Sequence, residues 1–195
     1  GVVMKNAILM IDVALQLGAP ARARAFLVRS SVMDEAVAFD WHARLAASLR
    51  LDDHPDAIRS LTILVRRWPE KLPDLRDVTF WLLGLASKGD EFTRFDLLDA
   101  LYAARWKPAR QDASSAWKDL ALLLLERGEV ARAEQVASQV TAPLMLVAMR
   151  VDRRFDRLPG ARPGRLDVAR ALATEIERSR AAVRDDPRSI EVLLG

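Results

Sequence analysis

SAWKDLALLLLERGEVARAEQVASQVTAP, residues Ser115 to Pro143, reads as two helices and the turn between them. Trp117, Leu120, Ala121 and Leu124 recur at the i, i+3, i+4, i+7 spacing of a buried helical face. Gly128 stops that helix and Glu129 turns the chain. A second helix is expected over about Val130 to Val140, with Ala133, Val136, Ala137 and Val140 inward and Pro143 as its stop.

Two other stretches repeat this plan. In residues 4–33, Ala7, Met10, Ile11 and Ala14 form a first stripe, Gly18 closes it, and Pro20 opens a second helix lined by Ala23 and Leu27. In residues 38–69, Trp41, Leu45 and Leu49 line a first helix, Asp52 to Pro55 turn the chain, and Ala57, Leu61 and Leu64 line a second helix ended by Trp68-Pro69. Trp41 precedes Ala57 by the same interval as Trp117 precedes Ala133. This pattern resembles the tetratricopeptide repeat, with its Trp, its turn Gly, its small residue early in the second helix, its closing Pro and its fixed period. Ala23 to Ala57 spans one such period, about 34 residues. The departures are Asp52 at the turn-Gly position, no closing Pro in the first unit, and bulky Leu45 and Ile11 where the family has a small residue.

The rest of the chain follows more loosely. Leu75, Val78, Leu82 and Leu85, a Gly89-Asp90 turn, then Phe95, Leu98 and Leu101 make a third unit ending near Trp106. Ala57 to Ala133 is longer than two periods, and the excess is assigned mainly to an exit loop, Lys107 to Ser114. Beyond Pro143 a helix of about Leu144 to Arg150 has Leu146 and Met149 inside, and RRFDRL stands for a turn and a very short helix. LPGARPG, Leu158 to Gly164, breaks the chain. A long helix is expected from about Leu166 to Arg184, with Val168, Leu172, Ile176 and Val183 apolar, ended by Asp186-Pro187. Residues 188–195 start a further helix whose apolar Val192, Leu193 and Leu194 call for a following repeat. The resemblance therefore implies an all-α, right-handed superhelix of about five stacked antiparallel helix pairs, a single domain over residues 1–195 within a longer repeat protein.

The composition agrees with a folded chain: 51% of its 195 residues are hydrophobic and 29% charged. A net charge of +3 is small for a dedicated nucleic-acid binder. The absence of cysteine excludes a disulfide framework, a thiol nucleophile and any Cys-ligated metal, and is compatible with cytoplasm and periplasm alike. No window approaches the roughly 18 to 20 apolar residues of a membrane span, so a soluble chain is expected, with the cytoplasm slightly favoured. With Gly1 in place of an initiator Met, a processed or cloned start is expected.

In the family, first helices line a concave groove that binds a peptide or helix of another protein. The resemblance places Lys5, Asp12 and Gln16, then His42 and Arg50, then Lys118, Asp119 and Glu126 in that groove. The expected function is thus a non-catalytic protein-binding scaffold of mixed charge, with no cofactor and a protein or peptide partner. His42 and His54 lack the spacing of a metal pair, no nucleophile turn or phosphate loop is present, and Ser114-Ser115 reads as a helix N-cap. Trp68, Trp81 and Trp106 read as packing residues, and His54 as turn surface. Two other readings stay open: the helical scaffold of a larger enzyme, or a nucleic-acid-binding module using Arg150, Arg153, Arg154, Arg157, Arg162 and Arg165. Asp152, Asp156 and Asp167 interleave with those arginines and favour internal ion pairs.

Overall fold

Four turns of the chain close in the same way, and they organise the structure, a computed structural model that describes residues 2–29, 38–88 and 90–185. Gly18, Asp52, Arg105 and Gly128 each have a left-handed backbone, with φ of 66°, 52°, 52° and 78°. Around each, the next residue's N–H donates to the carbonyl five positions back: Ala19 to Ala14, Asp53 to Ser48, Trp106 to Leu101 and Glu129 to Leu124, at 2.8 to 3.0 Å. The left-handed residue's own N–H donates to the carbonyl three back. These paired bonds satisfy carbonyls that a helix end would otherwise leave bare. At Asp52 and Arg105 a side chain sits where glycine is favoured. Arg105→Gly is therefore expected to stabilise the protein by about 0.5–1 kcal/mol, and Gly128→Ala to destabilise it by about 1 kcal/mol. Urea midpoints of the two variants, moving in opposite directions, check this.

Among the described residues the chain is all-helical, with no strand. Its contacts divide it into two compact units, Gly1–Trp106 and Lys107–Gly195. In the first unit α1 (Val2–Gln16) folds back on α2 (Pro20–Arg29), and α3 (Ala38–Arg50) on α4 (His54–Arg67), each through a short turn. A 3-10 segment, Pro69–Leu75, leads to α5 (Arg76–Ala86) and α6 (Glu91–Ala103). Helix α1 also packs on α3, and α6 packs more extensively on α4 than on α5. In the second unit α7 (Arg110–Glu126) folds back on α8 (Val130–Ala137). Helix α9 (Pro143–Val151), a 3-10 segment (Arg153–Arg157) and α10 (Arg165–Asp185) follow. Helix α9 contacts α7 and α10, and the 3-10 segment contacts α7 and α9.

Aligned on their left-handed residues, the three hairpins bury several positions in common. Gly18 and Asp52 stand one repeat period apart, as Ala23 and Ala57 do. At the fifth position after each turn stands an alanine of zero exposure: Ala23, Ala57 and Ala133. A methyl group there lets the second helix come close to the first, which a longer side chain would prevent. At the seventh position before the turn stand Ile11, Leu45 and Ala121, all buried, so the bulky Leu45 and Ile11 are accommodated. Trp117 is buried and Trp41 half-buried at matching places.

Several expectations need correction. Helix α7 starts at Arg110, so most of the assigned exit loop is helix, and the extra length includes the 3-10 segment Pro69–Leu75. Ser114 is not an N-cap; it lies inside α7, and its hydroxyl accepts from the N–H groups of Thr141 and Ala142 at 3.1 and 2.9 Å, closing the connection after α8. Helix α8 ends at Ala137, and Pro143 opens α9 rather than stopping α8, because a first-turn N–H has no intrahelical acceptor to lose. Met10, Ile176 and Trp81 are exposed instead of inward. His54 is half-buried at the start of α4, its ring edge-on to Trp81 at 5.2 Å. Gly1, residues 30–33, Asp34, Gly89, Asp186, Pro187, residues 188–195 and the side chains of Lys5, Ala7 and Val183 lie outside the described residues.

Candidate functional site

Five of the expected groove residues fall in a common register on the first helices, while Asp12 and Asp119 have no counterpart at their positions. Gln16, Arg50 and Glu126 each lie at the second position before a left-handed turn, and all three are exposed. His42 and Lys118 each lie at the tenth position before one, and both are half-buried. A side chain at the second position before the turn falls on the last helical residue, where a helix naturally turns its polar face to water.

Within the first unit the structure brings Arg50 and Asp12 together as an ion pair between α3 and α1. That pair ties neighbouring first helices along their exposed side; both partners are well solvated, so it contributes up to about 1 kcal/mol. Within the second unit, Lys118 stands 3.3 Å from Asp119, and Glu126 stands 3.5 Å from Arg154 of the second 3-10 segment. Arg154 also donates through Nε and Nη2 to Asp152, at 3.1 and 2.7 Å. The Arg154 bond, with its charge, holds the Asp152 carboxyl below the usual carboxylate range and raises the guanidinium pKa. In each unit these charges are thus paired with a neighbour of opposite sign.

Three arginines of the stretch, Arg154, Arg157 and Arg162, are occupied from within. Arg154 pairs with Asp152 and Glu126, Arg162 pairs with Asp156 and donates to the Arg150 carbonyl, and Arg157 donates to the Leu125 carbonyl at 3.5 Å. Leu158 to Gly164 is tethered as well, since the Gly160 N–H donates to the Glu134 Oε1 at 2.7 Å. Among the described residues no three His, Asp or Glu cluster in a way that holds a metal ion, and no helix is long and apolar enough to cross a membrane.

Sequence reasoning missed a largely buried ionic contact between α3 and α4. Arg44 donates to Asp56 through Nε and Nη2 at 2.9 and 2.6 Å, and through Nη1 to the Leu27 carbonyl at 3.3 Å. Ser48 donates to the same carboxylate at 2.6 Å. The network joins α3, α4 and the last turns of α2. A signal existed: at the eighth position before the turn, where the third hairpin has fully buried Leu120, this hairpin has Arg44. A charge in an apolar register requires a partner.

No protein-family model, curated protein or solved structure matches the chain.

Proposed function

We propose that this chain is a tetratricopeptide-like α-solenoid of about five helix pairs, serving as a non-catalytic scaffold that binds a peptide or helix of another protein along its first helices. The observation that carries this reading is the repeated hairpin closure, with Gly18 and Asp52 one period apart and zero-exposure Ala23, Ala57 and Ala133 at one register. Repetition supports a row of similar units, each offering a polar position such as Gln16, Arg50 or Glu126. A preformed row of contacts costs little ordering entropy in the scaffold, so an extended ligand gains affinity by touching several units.

The test uses peptides selected from a random dodecapeptide display library and measured by fluorescence anisotropy. Arg50→Glu combined with Lys118→Glu is expected to weaken groove-bound peptides at least about tenfold, as reversal of two ligand-contacting charges should. Circular dichroism of the variant controls for folding. Unchanged affinity for every selected peptide overturns the groove assignment.

A further inference from the structure

A second candidate surface, built from residues other than those first-helix positions, lies within the first unit on the side of α4 that faces α6. There a groove of about 560 Å³ runs along Ile58, Arg59, Thr62, Ile63 and Arg66 of α4, with Phe92 of α6 on its rim. Ile58 and Thr62 are buried and make its floor. The Thr62 hydroxyl donates to the Ile58 carbonyl at 2.8 Å, so the floor presents no free donor. Phe92 is 67% exposed, a large aromatic ring held beside the floor. From Pro55 to Arg66 the α4 face is about 16 Å long, the span of about five residues of extended chain.

Of the charges lining this groove, Asp56, Asp96 and Arg66 are ion-paired, Asp53 caps the start of α4, and Arg59 remains. Asp56 is taken by Arg44 and Ser48, Asp53 accepts from the Asp56 N–H, and Asp96 pairs with Arg66 at 3.3 Å. The nearby amides at the start of α6 are served by Asp90, which accepts from the Thr93 N–H at 2.8 Å, so they offer no anion site. Among the described residues no carboxylate pairs with Arg59. An apolar floor, an exposed aromatic rim and one uncommitted guanidinium are complementary to a short chain bearing one carboxylate among apolar side chains.

We propose that the α4–α6 groove binds a short peptide segment in which an Asp or Glu, held by Arg59, lies within a few residues of apolar side chains packed on Ile58, Ile63 and Phe92. The guanidinium fixes the register of the segment and the aromatic rim supplies contact area. A single exposed ion pair gives only mild salt dependence.

The experiment pans a random dodecapeptide display library on the full chain, after depletion on the Arg59→Glu/Phe92→Ala variant. The tightest survivor is then made as a labelled synthetic peptide. Survivors are expected to combine an acid with apolar neighbours. Arg59→Glu should weaken the labelled peptide at least about tenfold, and Phe92→Ala about five- to tenfold. Changing the peptide's own acid to its amide should cost about the same as Arg59→Glu, while Arg50→Glu with Lys118→Glu leaves affinity within about twofold. That last arm separates this groove from the first-helix reading, because each site responds to its own variant. Arg59 and Phe92 are exposed, so both variants keep the fold, as circular dichroism verifies. The proposal is overturned if depletion removes every binder, if affinity ignores Arg59→Glu, or if dodecanoate binds in an Arg59-dependent way while no peptide does.

Discussion

Arg44→Ala is expected to lower the unfolding free energy by about 3 kcal/mol, at the lower edge of the range for breaking a buried ion pair. The Arg44 and Asp56 side chains are only 9% and 14% exposed, and the guanidinium bonds the carboxylate through two nitrogens. Removing it leaves Asp56 with Ser48 as its side-chain donor and the Leu27 carbonyl without that partner. Some water reaches the site, which softens the loss; the arginine stem's lost packing adds to it. Asp56→Ala should be costly for the same reason, and the two losses should not add, because each removes one shared contact. The double variant Arg44→Leu/Asp56→Ala places a leucine where the third hairpin has Leu120, and is expected within about 1 kcal/mol of the parent. Urea unfolding of the single and double variants measures this. A coupling below about 0.5 kcal/mol would show that water already replaces the pair.

Arg44 also shows why some of the structure was legible and some was not. The hairpins were read from local pattern: apolar stripes at helical spacing, glycines at 18 and 128, and alanines recurring after each turn. Those signals lie within a few residues of one another, and the structure places Ala23, Ala57 and Ala133 at one register. What escaped depends on partners far along the chain. Ser114 looks like a cap because it precedes an apolar stripe, yet its hydroxyl serves the amides of Thr141 and Ala142, a whole hairpin later. Arg105 takes a left-handed conformation that its side chain does not advertise. The candidate groove residues were legible as polar helix positions, but the Asp12–Arg50 pair bridges two hairpins and the Glu126–Arg154 pair joins two elements. The α4–α6 groove was not legible at all, since it arises from α6 packing on α4, a choice that periodicity within each helix does not encode.

Phe155→Ala should destabilise the second unit by about 3–4 kcal/mol, the range for removing a buried aromatic side chain. The hairpin α7–α8 covers itself with a full second helix, which buries Ala133, Val136 and Ala137. After α9 the chain first lays down the 3-10 segment Arg153–Arg157 against α7 and α9, and only then α10, which packs on α9. Within that short segment one aromatic ring, Phe155 at zero exposure, with fully buried Leu158 after it, supplies the apolar cover. Collapse into the vacated space is restrained at both ends. Asp152 accepts from the Arg154 N–H, Arg157 bonds the Leu125 carbonyl, and Gly160 and Arg162 are tied to Glu134 and to the Arg150 carbonyl. A cavity that cannot close keeps most of its cost, whereas Phe155→Leu, which fills much of the volume, should lose only about 1 kcal/mol. Native-state hydrogen exchange read on peptides from α7 and α9 should show the corresponding loss of protection for Phe155→Ala. Equal protection in Phe155→Ala and the parent would mean that the segment rides on these helices without supporting them, and that α9 is held chiefly by α7 and α10.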